Sequence, residues 1–260
     1  MAKIIAITNQ KGGVGKTTTA VNLAAALTQS GAKVILIDLD PQGNSSTSFG
    51  IEKNSVKHSI YEVLFGHSTL KKAIFKPAPE GPWIIPSTPD LSGAEIELAS
   101  IPRREHRLSE CLENSPESTD LVIIDCPPSL GLLTLNALVA AHSVIIPVQC
   151  EFLALEGLSQ LMRTLEIVRK RLNPNLQITG IVLTMYDKRS KLIRQVVKEV
   201  EKFFPELVFS TNIPRNITVS ESQSFGKPLV EFDKKSKAAK AYQKLAKEVS
   251  KRISLNKANS

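Results

Sequence analysis

The sequence predicts an α/β fold: a doubly wound, mostly parallel sheet with helices on both faces. Two observations carry this. Short β-branched runs alternate with amphipathic helical patterns along almost all of the 260 residues, the order that strand-helix-strand units produce. Several runs are apolar throughout, as in Leu121-Val122-Ile123-Ile124, which is how strands covered on both faces read.

The elements follow in order. Ile4–Thr8 is a β-branched run that meets a glycine-rich loop, and Thr17–Gln29 continues as a helix free of internal Gly and Pro. Val34–Leu39 is the second strand. From Gly43 to Pro116 the pattern is broken by Pro77, Pro79, Pro82, Pro86, Pro89 and Pro102. That stretch is expected to be an elaborated connection with one strand, Trp83–Ile85, and two helices packed on the same domain. Leu121–Asp125, Ser143–Val148 and Ile178–Thr184 are the next strands, separated by helical patterns over Leu130–Ala141 and Leu155–Arg171. A helix over Leu192–Phe203, a short strand at Val208–Phe209 and a helix over Ser236–Ile253 complete the series. Right-handed crossovers between such strands give a single domain over residues 1–260, with a frayed tail from Ser254.

Composition narrows the function classes. Lys plus Arg number 33 against 25 Asp plus Glu, a formal net charge of +8, which favours an anionic partner if the excess is clustered. Cys111, Cys126 and Cys150 show no CxxC spacing, and His58, His67, His106 and His142 show no ligand spacing. Neither a disulfide framework nor a metal site of that kind is expected, and a reducing compartment is. The N-terminal apolar run is too short for a signal peptide. No stretch approaches the roughly 18 apolar residues of a spanning helix. A cytoplasmic protein is the expectation.

Three motifs carry chemistry. The first is Asn9-Gln10-Lys11-Gly12-Gly13-Val14-Gly15-Lys16-Thr17-Thr18. Glycines let backbone N–H groups turn inward around phosphates, and the helix that follows offers unpaired donors at its positive end. Lys16 is placed to reach the β- and γ-phosphates, Thr17 to ligate Mg²⁺, and Thr18 to donate to the α-phosphate. The standard loop opens with Gly at position 10, where this chain has Gln10, and a second lysine, Lys11, follows. The second motif, Asp38-Leu39-Asp40-Pro41-Gln42-Gly43-Asn44, ends the next strand, so its carboxylates face any ligand beyond the sheet. Asp40, farther out, is the candidate to orient an attacking water, and Asp38 to support Mg²⁺ or the loop. Third, Asp125 ends the apolar run Leu121–Ile124, which puts it near the Mg²⁺ shell. ATP and Mg²⁺ are thus the expected cofactors. The plain alternatives are a glycine turn that binds nothing and strand-end aspartates acting as caps.

These three motifs, with Pro147-Val148-Gln149-Cys150-Glu151, Leu183-Thr184-Met185 and Ile213-Pro214-Arg215-Asn216, resemble the deviant Walker A ATPases, and within them the ParA/Soj partitioning proteins. The likeness runs over roughly residues 3–250. It implies a homodimer that sandwiches two ATP molecules, with Lys11 matching the signature lysine that crosses to the partner's nucleotide. It implies adenine contacts from Pro214 and Asn216, with Met185 on the other side. It also implies non-specific DNA binding on the nucleoid, chromosome or plasmid partitioning, and slow hydrolysis stimulated by a ParB-type partner. A strand beginning at residue 3 leaves no helix-turn-helix extension ahead of it, so operator recognition is not expected. Arg189 matches a DNA-contacting position, whereas Thr218 stands where many relatives carry a basic residue.

The positive charge is clustered. From Lys234 to Lys257 there are nine basic residues and one acid, Glu248. Lys237, Lys240, Lys244, Lys247 and Lys251 recur at steps of three and four, so they form one stripe of a helix. Ala238, Tyr242, Leu245, Val249 and Ile253 form the opposite stripe. Lys240, Lys244, Lys247 and Arg189 are the candidate DNA contacts; the plain alternative is a solvated lysine face. A membrane-surface ATPase resembling MinD is the competing class. It fits less well, because the apolar stripe lacks Trp and Phe anchors and is needed for packing. Electron transfer would need paired thiolates, for which no cysteine has the setting.

Overall fold

The computed structural model describes residues 2–254 except 114, 117 and 152. Six strands, β1 (Lys3–Ile7), β2 (Val34–Asp38), β3 (Trp83–Ile85), β4 (Leu121–Asp125), β5 (Ser143–Gln149) and β6 (Gln177–Thr184), form one sheet in the order β3-β2-β4-β1-β5-β6. Every pairing is parallel. Six helices of seven residues or more surround it among the described residues: α1 (Lys16–Gln29), α2 (Leu132–Ala140), α3 (Ala154–Arg171), α4 (Lys191–Phe203), α5 (Thr218–Ser224) and α6 (Lys237–Arg252).

The period-2 alternation of the strands divides the core into two. Ala6, Ile35, Ile37, Val122, Ile124, Val144 and Ile146 point to the face covered by α2, α3 and α4. Ile5, Ile7, Leu36, Ile123, Ile145 and Val182 point to the face covered by α1 and α6. Each strand therefore hides both faces, which is why no polar alternation is visible in the runs.

Two expectations are corrected. Val208–Phe209 is not a strand of the sheet: Val208 makes one isolated bridge to Ile181. Pairing with β6 stops at this one bridge, in which Ile181 N donates to Leu207 O at 2.8 Å and Phe209 N to Ile181 O at 2.9 Å, while the guanidinium of Arg252 donates to Leu207 O at 3.0 Å and Val208 O at 2.9 Å. Among its described residues the connection from Gly43 to Pro116 holds five α-helices of four to six residues rather than two. Such short helices rest on local caps, as at Ser59 and Glu62, where hydroxyl, carboxylate and backbone N–H groups pair reciprocally. The expected frayed tail lies, from residue 255 onward, outside the described residues.

Candidate nucleotide site and basic cleft

The strand order reverses about β1, so the chain departs on either side of the β1–β4 pair, and a crevice opens beyond their carboxyl ends. The register levels the ends: Ile7 faces Asp125 and Asp38 faces Asp125. This is why residues far apart in sequence, the loop after β1 and two aspartates, meet.

The loop after β1 is shaped by backbone conformation. Gly13 has φ 74° and Gly15 φ 87°, the left-handed region that glycine enters without penalty. Gly15 is the N-cap of α1 and supplies no side-chain cap, and no acid stands in the first turn. The first amides of α1 are therefore available to an anion. By contrast α4 and α6 are capped by the hydroxyls of Ser190 and Ser236. Asn9 steadies the loop entrance, donating to Pro147 O at 2.7 Å and accepting from Lys11 N at 3.0 Å. Thr184 Oγ1 donates to Val14 O at 2.8 Å, tying the loop to the end of β6. Gln10, where the standard loop has glycine, donates to Thr164 Oγ1 on α3 at 3.3 Å.

Lys16 is 7% exposed and donates to Lys11 O at 3.1 Å. Burial pulls its ammonium below the usual lysine range, while Asp125 and Asp40 oppose that shift. The carboxylates behind it are more deeply set. Asp38 accepts from Ser46 N and Ser46 Oγ, both at 2.7 Å, and Ser46 Oγ in turn accepts from Ser87 N at 3.1 Å. Asp125 accepts from Ser45 Oγ at 2.8 Å, and the nearby Thr17 hydroxyl favours its charged form. Burial raises both carboxyls above the usual carboxylate range, Asp125 further because Asp38 lies beside it. Asp40 is buried to the same extent as Lys16, its Oδ1 accepting from Gln42 N at 2.9 Å.

A cavity of about 640 Å³ joins these groups, a size suited to a nucleotide. Of the residues singled out by sequence, Gly12, Gly13, Gly15, Lys16, Thr17, Thr18, Asp40, Met185, Pro214 and Asn216 line it together. Lys11, Val14, Asp38 and Asp125 are not among its lining residues. Val14 is buried, Lys11 is exposed and ion-paired with Glu151, and both aspartates lie beneath the floor. With Oδ2 of Asp38 engaged twice by Ser46, the described geometry gives that carboxylate a supporting place. The buried Oδ1 of Asp125 has no hydrogen-bond partner among the described residues. An orphaned buried carboxylate oxygen beside the Thr17 hydroxyl suits a hard divalent cation such as Mg²⁺.

Sequence reasoning missed part of the wall. Gln42 and Asn44 line the cavity and stand in the second motif, so they were within reach. Ile217, Val219, Ser220 and Gln223 come from the α5 region, which has no periodicity long enough to register, and Tyr242 reaches in from α6.

Arg189, Lys240, Lys244 and Lys247 are brought together as well. They line an open cleft of about 1290 Å³ with Lys188, Arg215 and Lys237. The five lysines of the α6 row are exposed, while Ala238, Tyr242, Leu245 and Val249 are buried against the domain. That buried stripe does not face outward toward a lipid surface. Among the described residues no helix is long and apolar enough to cross a membrane. Arg189 is engaged by Asp187 through Nε at 3.0 Å and Nη2 at 2.9 Å, and these bonds hold the Asp187 carboxyl down at about 2. Thr218, at the start of α5, donates its N–H to Asn216 Oδ1 at 2.9 Å.

A parallel sheet, an uncapped glycine loop at its switch point and a buried lysine beside paired aspartates define a P-loop nucleotide-binding protein. The AAA domain family matches residues 2–178. Over 249 residues the chain is 53% identical to the sporulation initiation inhibitor protein Soj of Bacillus subtilis, covering 96% of this chain and 98% of that one. It is 52% identical over 251 residues to the chromosome partitioning protein ParA of Caulobacter vibrioides, covering 95% and 93%. A solved structure described as cobyrinic acid a,c-diamide synthase from Mycobacterium smegmatis, with bound ATP analogue and magnesium, matches with TM-score 0.85 at 40% identity, covering 99% and 98%. The chain belongs to the ParA/Soj family of P-loop ATPases.

Proposed function

We propose that this chain is an ATP-dependent dimerising switch that binds DNA without sequence preference and drives chromosome or plasmid partitioning. Within this reading the loop from Lys11 to Thr18 cradles the phosphates, and Lys16 faces the β- and γ-phosphates. Thr17 and Asp125 hold Mg²⁺, with Asp38 supporting them, and the ion neutralises phosphate charge when bound. Asp40 orients the attacking water. Met185, Pro214 and Asn216 lie against adenine, and Asn216, whose Oδ1 is engaged by Thr218, keeps its Nδ2 as a donor. Lys11 leaves Glu151 and acts across a homodimer on the partner's nucleotide. Hydrolysis is slow, is stimulated by a ParB-type centromere-binding protein, and releases the dimer from DNA in the cytoplasm and on the nucleoid.

One observation carries the reading: the nucleotide cavity and the basic cleft share the wall Pro214, Arg215, Asn216 and Ile217. A nucleotide that settles against this wall is in mechanical contact with the surface that would track phosphates. Two such clefts on one dimer raise affinity for a common duplex by effective concentration. DNA retardation with ATP, ADP and no nucleotide, with and without a candidate centromere-binding protein, tests it. ATP-selective retardation is expected; equal retardation in all three conditions would sink the reading.

A further inference from the structure

The shared wall is held in place from the basic helix. Glu248 on α6 is half-buried and is the one acid among the nine basic residues from Lys234 to Lys257. A lone carboxylate in that setting is expected to pair with lysine. Among the described residues the ion pairs are Lys11–Glu151, Arg103–Glu110, Arg107–Glu110 and Arg189–Asp187, and Glu248 is in none of them. Its oxygens instead accept from Ser210 N at 3.0 Å, from Ser210 Oγ at 2.8 Å and from Thr211 Oγ1. Three donors from two consecutive residues converge on one charged acceptor, and such bonds are roughly twice as strong as neutral ones.

The segment so held leads straight to the wall. Ile213 N donates to Leu183 O at 2.8 Å, Tyr186 N to Ile213 O at 3.0 Å and Arg215 N to Tyr186 O at 3.3 Å. These bonds carry the chain along the end of β6 into Pro214–Ile217. The helix that supplies Glu248 is itself fixed on either side. Tyr242, 1% exposed, is buried against α1 in the core that α6 shares with it. Arg252 donates to Thr179 O at 2.8 Å and lies over the Phe209 ring at 4.2 Å.

We propose that Glu248 is a positioning residue that sets the wall between the nucleotide cavity and the basic cleft, so that adenine binding and presentation of the lysine row depend on one carboxylate. The proposal rests on the function given above for the identity of the two ligands. Glu248 lines the basic cleft and lies outside the nucleotide cavity; it acts on the cavity through Ser210, Thr211 and the chain that follows them.

The test compares full-length wild type with Glu248→Ala and Glu248→Gln. Affinities for MgATP and for Mg-tripolyphosphate, which has no base to meet the wall, are measured by calorimetry. DNA affinity is measured by anisotropy with and without ATP. Glu248→Ala is expected to raise the Kd for ATP about tenfold, as charge-assisted bonds are lost, with the Kd for tripolyphosphate unchanged. Glu248→Gln, which keeps an acceptor oxygen, falls between. Removing a negative charge strengthens DNA binding in every nucleotide state alike, so the readout is the ratio with and without ATP, and that ratio shrinks in Glu248→Ala. Equal weakening of ATP and tripolyphosphate, or an ATP affinity like that of wild type, overturns the proposal. If wild-type DNA binding ignores ATP, the proposed function falls and the coupling falls with it. The ATP and tripolyphosphate comparison still decides whether Glu248 positions the wall.

Discussion

Lys16 is a cation held out of water, with Asp125 and Asp40 as its nearest opposing charges. An ammonium so desolvated gains from any anion placed beside it, so Lys16→Ala is expected to abolish ATP binding in equilibrium dialysis. Retention of wild-type affinity would refute the assignment of the loop. Asp40 differs in following β2 rather than belonging to the glycine loop, so its removal leaves the cradle intact. Asp40→Ala should bind ATP and dimerise but hydrolyse poorly, giving a persistent larger species in size-exclusion chromatography with MgATP. A variant that stays monomeric, or turns over normally, removes Asp40 from the role of orienting water. Residues of this kind were legible because their chemistry depends on type and spacing. Ser46 was not, since a serine becomes a carboxylate's partner only when folding places its N–H and hydroxyl 2.7 Å from Asp38. The reach of Lys11 to Glu151 was likewise invisible, because it spans the loop and the end of β5.

The helix α6 was readable end to end, because lysines and apolar residues each keep a helical step and the structure buries one stripe and exposes the other. The segment Val208–Phe209 misled because two β-branched or aromatic residues look the same whether they extend a ladder or make a single bridge beside a guanidinium. Gly180 marks that approach: a Cβ there would lie 2.6 Å from Arg252 Nη1 and 2.7 Å from the Phe209 ring. At this scale the lysine row makes a quantitative prediction. If it tracks phosphates, log K falls with log salt by about 0.9 per phosphate neutralised. Neutralising Lys240, Lys244 and Lys247 together should flatten that slope by roughly two to three phosphate equivalents in fluorescence anisotropy, with ATP binding and dimerisation unchanged. Arg189→Ala should weaken binding from the other side of the cleft. An unchanged slope in the triple variant, or a strong preference between two unrelated duplexes, returns the stripe to a solvated helix face.

For the whole molecule, strand order decides which loops converge, and order is the property least visible in a linear sequence. Alternation announced a doubly wound sheet, yet it could not say that β4 lies between β2 and β1 and so levels Asp38 with Asp125. Assembly is a property of this scale too. Lys16 already supplies a cation to its own subunit's site, and Lys11 is exposed at the mouth of the loop. Lys11→Ala should therefore leave nucleotide binding largely intact while removing the ATP-dependent dimer, as measured by calorimetry and light scattering. Loss of both together would mean that Lys11 works within its own subunit.

The uncapped start of α1 also bears on how long the molecule survives. Donors without acceptors at a helix end, above a carboxylate oxygen without a partner, are local deficits that the fold carries until an anion and a cation arrive. Nucleotide is then a folding partner as well as a substrate. At a hundred times its dissociation constant a ligand adds about 2.7 kcal/mol to stability, which for a domain of this size raises Tm by roughly 5–10 °C. Differential scanning fluorimetry should register that rise with MgATP and lose it in Lys16→Ala. In a cell starved of ATP the same protein would present more of its unfolded form to proteases, so that energy supply would govern its abundance as well as its cycle.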